Sequence, residues 1–151
     1  MLIGGEPSPA ATATRTTPTG LHEMVLEVAD LAVAERFYRD VIGLPVITRW
    51  EGERNAVWLD CGDTVALGLW TPETGGAAAL HNGRGGAHVH FAFRIAHGSL
   101  EAVRARLAGL GYEIEQVNFS DGNRSLYLDD PDGNCVELMD AVVDWAGRAI
   151  R

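Results

Sequence analysis

"LYLDDPDGNCVELMD", residues 126–140, reads as two strands folded back on one another. The Asp-Pro-Asp-Gly run at 130–133 is a strong turn signal, because proline presets φ and Asp and Gly accept tight backbone. Beyond it Val136 and Leu138 alternate with Cys135 and Glu137, the period of a strand with two unlike faces. A carboxylate inside such a strand costs roughly several kcal/mol unless it is paired, protonated or bound to a cation. Glu137 therefore raises a question of function, and the answer depends on what shares its face.

The same order of signals occurs twice. "HEMVLEV" (22–28) alternates, with Met24, Leu26 and Val28 on one face and Glu23, Val25 and Glu27 on the other. "DLAVAERFYRDVIGL" (30–44) then reads as a helix: Asp30 is a good cap, Val33, Phe37 and Val41 recur at helical spacing, and Gly43 is the stop. "AVWLDCGDTVALGLW" (56–70) gives two strands around a Cys-Gly-Asp turn, with Val65, Leu67 and Leu69 opposite Ala66, Gly68 and Trp70. After the Gly/Ala-rich connector "TPETGGAAALHNGRGG" (71–86), "HVHFAFRI" (88–95) alternates again. "SLEAVRARLAGLG" (99–111) is the second helix, with Ser99 as candidate cap, a stripe of Leu100, Val103, Leu107 and Leu110, and Gly111 as stop. One more strand fits each half, around Pro45–Trp50 and Tyr112–Val117. Each apolar strand face needs a helix to cover it, so the opposite faces are left to line something else.

Composition narrows the chemistry. The chain has 151 residues, 46% hydrophobic and 22% charged, which suits one globular domain or two small similar modules. A net charge of −9 argues against nucleic acid or an anionic membrane surface as the main partner. All 12 basic residues are arginine, which excludes lysine Schiff-base chemistry and the lysine-dependent phosphate loop. Two cysteines, Cys61 and Cys135, are too few for a disulfide framework, so the cytoplasm is the expected compartment. Residues 1–20 lack the basic head and apolar segment of a signal peptide and read as a flexible tail.

Phase places Glu23, His90 and Glu137 on corresponding faces of three strands, each turned from its helix. A solvated strand face also carries Glu and His without any function, so spacing alone leaves both readings open.

"VLEVADLAVAERFYRDVIGL" (25–44), "HVHFAFRI" (88–95) and "LYLDDPDGNCVELMD" (126–140) together resemble the vicinal oxygen chelate superfamily. That group includes glyoxalase I, extradiol dioxygenases and the fosfomycin and bleomycin resistance proteins. The resemblance implies an α+β fold of two βαβββ modules forming a cup-shaped mixed β-sheet. It places module one at 21–70, the connector at 71–87 and module two at 88–140, with a C-terminal helix or tail at 141–151. Carried over position by position, it implies Glu23, His90 and Glu137 as metal ligands. The first position is usually His or Gln in the family. Here it is Glu23, and its neighbour His22 replaces it only if the strand is bulged. The fourth ligand of glyoxalase I falls on Ala66 or Gly68, neither of which can bind.

The implied activity is that of a divalent-metal enzyme acting as a Lewis acid on a small substrate with adjacent oxygens, as a lyase or isomerase. Two carboxylates and one imidazole suit Mn²⁺ or Mg²⁺, with Ni²⁺, Co²⁺ or Zn²⁺ also accommodated and Fe(II) less so. Tyr127 and His88 join Glu137 as candidate catalytic groups, and Arg94, Trp70, Trp58 and Ser125 as pocket residues. The alternatives are a metal-free, ligand-sequestering protein of the bleomycin-resistance type, an extradiol dioxygenase, or a fosfomycin-modifying transferase. The last lacks its oxyanion-binding lysine. A homodimer is expected, with Val142, Val143, Trp145 and Ile150 giving apolar surface to the partner.

Overall fold

The computed structural model describes residues 18, 20–52, 55–71 and 90–150, so His88 and nearly all of the connector lie outside the described residues. The first module runs β1 (Glu23–Glu27), α1 (Leu31–Arg36) continuing as a π-helical segment (Phe37–Ile42), β2 (Val46–Trp50), β3 (Ala56–Asp60) and β4 (Ala66–Trp70). The second runs β5 (His90–Arg94), α2 (Leu100–Gly109), β6 (Glu115–Asn118), β7 (Arg124–Asp129) and β8 (Cys135–Asp140). Each module folds its strands into one four-stranded mixed sheet, ordered β1-β4-β3-β2 and β5-β8-β7-β6. In both, the first and last strands pair parallel and the others antiparallel. This is the doubled α+β pattern expected from the sequence.

The alternation works as a burial code. Leu26, Val28, Leu67, Leu69, Leu126, Val136 and Leu138 all enter one core that spans both modules. Each fully buried aliphatic side chain of this kind stabilises by about 1.5–3 kcal/mol. The modules also interlock through polar contacts. The Tyr38 hydroxyl donates to Asp130 (2.5 Å), the Ala29 amide to Asp132 (2.9 Å), and Arg106 to the Val41 carbonyl (2.7 Å). Asp130 and Asp132 belong to the Asp-Pro-Asp-Gly turn, so the stretch that signals the fold also ties its halves together.

Local details depart from the sequence reading. Asp30 does cap α1 through Val33, and Gly43 (φ 100°) does end the helical run. Its second half, however, is wider than an α-helix, because the Gly43 and Leu44 amides both close on the Tyr38 carbonyl. Ser99 holds the N-cap position of α2, its carbonyl accepting from the Val103 amide, but its hydroxyl makes no capping bond and donates backwards to the Ala96 carbonyl (2.6 Å). Leu110 lies past the last turn and is 55% exposed, so the buried stripe is Leu100 and Leu107 with Val103 beside them. Residues 141–150 form no helix: an Asp144–Gly147 turn folds the segment back so that the Ile150 amide donates to the Val142 carbonyl. Among the described residues no helix is long and apolar enough to cross a membrane.

Asp140 closes the second sheet. It is 1% exposed and receives Arg124 (2.7 Å), His97 (2.9 Å) and the Gly98 amide (3.2 Å). Burial alone raises its carboxyl, but these partners outweigh burial and hold it below the ordinary range. A depressed carboxyl stabilises above its unfolded-state pKa and loses that contribution as pH falls through the folded value. Asp140→Asn is therefore expected to cost about 1–2 kcal/mol at neutral pH. Urea midpoints should show the gap between wild type and variant shrinking below about pH 4.

Candidate functional site

Glu137 is 2% exposed on the non-helix face of β8. Its neighbours explain how a carboxylate stands there. The fully buried Ser125 on β7 donates its hydroxyl to Oε1 at 2.5 Å. His90 Nε2, reaching diagonally from β5, lies 3.0 Å from Oε2. Tyr127 is the direct cross-strand partner of Glu137. Burial first, and then this carboxylate, push the phenol up to about 12, so at neutral pH Tyr127 is a hydrogen-bond donor. The His90 and Tyr127 rings meet edge to face at 5.7 Å. Ala92, flanking Glu137 on β5, is small enough to leave the carboxylate accessible to its neighbours.

Four sequence-predicted residues, His90, Ser125, Tyr127 and Glu137, thus come together. Glu23 and Arg94 are not part of this cluster. Glu23 is exposed at the start of β1, on the face shared with Ala66, and among the described residues no three His, Cys, Asp or Glu groups are placed to hold a metal ion. The β1–β4 register runs without a shift from Glu23↔Ala66 to Glu27↔Trp70, so the strand is not bulged, and His22 precedes it. Arg94 pairs with Asp63 across the modules at 2.6 Å. Ser125 lies beneath Glu137 as its hydrogen-bond donor instead of on an open wall.

His90 and Glu137 supply two donors of the kind a divalent cation accepts: an imidazole Nε2 and a carboxylate oxygen converge, and the other oxygen of the carboxylate is held by a hydroxyl.

On the first sheet, Trp58 and Trp70 are joined by Trp50 from β2, which the sequence reading passed over. Its signal was available, because Trp50, Trp58 and Trp70 all share the phase of Glu23. Gly68, one of the positions where a fourth ligand was sought, lies under these rings: a Cβ there would sit 2.8 Å from the Trp58 ring.

Comparison with known proteins extends this picture. Glutathione transferase FosA from Serratia marcescens is 31% identical over 119 residues, 78% of each chain. The crystal structure of lactoylglutathione lyase from Agrobacterium tumefaciens is 28% identical, with TM-score 0.65, covering 82% of this chain and 95% of that one. The fosfomycin resistance protein FosX from Listeria monocytogenes was crystallised as a mutant with Mn(II) and 1S,2S-dihydroxypropylphosphonic acid. It shares the fold at 18% identity and TM-score 0.65, covering 83% of this chain and 94% of that one. Residues 20–138 match the model of the Glyoxalase/Bleomycin resistance protein/Dioxygenase superfamily, and the chain belongs to that family.

Proposed function

We propose that the chain is a divalent-metal-dependent enzyme in which Glu23, His90 and Glu137 hold the ion. The observation that carries this reading is the approach of His90 Nε2 to the buried Glu137 carboxylate, 3.0 Å apart. Glu23 is the counterpart of His90 on the first sheet and supplies the second negative charge, which suits a hard cation such as Mn²⁺ or Mg²⁺. When bound, the metal supplies Lewis acidity toward two adjacent substrate oxygens. The remaining work belongs to the chain. Ser125 fixes one oxygen of Glu137, and Tyr127, its phenol raised by burial, keeps its proton beside that carboxylate. The lyase or isomerase reading and the transferase reading both use this arrangement. FosA similarity supports the transferase, while the absence of lysine removes one anion-binding group from it.

We place the enzyme in the cytoplasm, as a homodimer with Val142, Val143, Trp145 and Ile150 at the contact. The two free cysteines and the fully exposed Trp145 support this placement. The discriminating experiment supplies Mn²⁺ and glutathione with either fosfomycin or a 2-oxoaldehyde and follows product by NMR. A metal-dependent adduct or lactoylglutathione supports the enzyme and selects the reaction. Turnover that ignores a chelator contradicts the proposal.

The hydroxyl beneath Glu137 has its own test. Ser125→Ala is expected to lower Mn²⁺ affinity about 10- to 100-fold, the usual cost of losing a group that orients a metal ligand. Isothermal titration should also show Ser125→Thr restoring most of it.

A further inference from the structure

We propose that the indole-bearing face of the first sheet binds a cationic alkylammonium group. The strand register sets Glu27, Trp70, Ala56 and Trp50 abreast across all four strands, and sets Gly68 beside Trp58 in the next row. All project from the face opposite the core. The ring centroids lie 5.3 Å (Trp50–Trp58), 5.6 Å (Trp50–Trp70) and 6.2 Å (Trp58–Trp70) apart. Their planes cross at 57°, 77° and 87°, so no two of the indoles leave a slot between parallel faces. A flat aromatic guest has nothing to stack within; a compact, rounded cation meets several ring faces at once.

Two further observations point to a ligand. Glu27 is half-buried beside Trp70 and takes part in no hydrogen bond or ion pair among the described residues. A carboxylate left so beside the Trp70 indole selects for positive charge. Trp58 is 8% exposed, and its Nε1 has no hydrogen-bond partner among the described residues. A buried N–H in that state is costly, and an oxygen a few bonds from the ammonium nitrogen would satisfy it. Trp50, at 42% exposure, is the most open of the three indoles. Indole faces offer no lone pair to a metal ion, so the ligand is an organic cation. The net charge of −9 adds a general bias toward cations.

The inference does not need the metal site. Choline is the probe, followed by tryptophan fluorescence, and its neutral isostere 3,3-dimethylbutan-1-ol is the control. Choline is expected to give saturable quenching, with the isostere at least about tenfold weaker, a cation–π and charge effect of ordinary size. Glu27→Gln should weaken choline several-fold, and Trp70→Leu should abolish it. Metal content of the same samples should be unchanged, which separates this site from the His90–Glu137 site. Equal binding of choline and the isostere, or no saturation by about 100 mM choline, a Kd beyond any useful site, overturns the proposal. If Trp70→Leu fails to fold, Glu27→Gln decides alone: unchanged choline binding in that variant is equally fatal.

Discussion

Glu137→Gln is expected to lower Mn²⁺ affinity by more than about 100-fold, because loss of a direct ligand should exceed the 10- to 100-fold cost of losing its supporting groups. The amide keeps the shape of the carboxylate and still accepts from Ser125, so folding stability should move little. Glu137→Ala removes the acceptor as well. Ser125, fully buried, then loses its partner at 2.5 Å, and an unsatisfied buried hydroxyl costs about 1–3 kcal/mol. The pair of variants separates two roles. A purely structural Glu137 gives equal metal binding in wild type and Glu137→Gln and a stability loss only in Glu137→Ala. A ligand gives affinity loss in both. Urea denaturation beside metal titration reads the two quantities independently.

The second large effect concerns the first strand. Glu23→Ala should cost metal affinity at least about as much as removing a supporting group, 10- to 100-fold, while His22→Ala should leave it nearly unchanged. The reason is phase. The β1–β4 pairing advances one residue at a time from Glu23 to Glu27, which keeps Glu23 with Val25 and Glu27 and away from Met24, Leu26 and Val28. His22 stands outside the strand, where its carbonyl accepts from the Ala66 amide at 3.0 Å. A His22→Ala variant that loses metal while Glu23→Ala keeps it would mean that the strand slips by one residue on loading.

What the sequence made legible follows from one-sided burial. A strand packed on a helix must alternate, so Leu26 and Val28, or Val136 and Leu138, announce both the strand and its faces. The same alternation assigned His90 and Glu137 to one face before any coordinate did. What periodicity does not carry is distance between elements. Nothing local in "HEMVLEV" states how far Glu23 lies from Glu137, which is why two of the three proposed ligands meet and the third stands apart. The π-helical segment was equally invisible. It depends on the Gly43 and Leu44 amides sharing one carbonyl and on Tyr38 reaching Asp130 in the other module. Ser99 stands at the N-cap position, but a serine before a helix has two backbone targets, and here its hydroxyl turns back to Ala96. Trp50 was missed for a plainer reason: its strand was placed only loosely, so its phase was not compared with Trp58 and Trp70.

The central claim is that Glu23, His90 and Glu137 hold one divalent ion. Its most direct test counts that ion: protein purified without chelators, equilibrated with Mn²⁺ and dialysed, then assayed by elemental analysis beside His90→Ala and Glu137→Gln. Wild type is predicted to retain close to one equivalent per chain and both variants almost none. Equal retention by all three would contradict the claim.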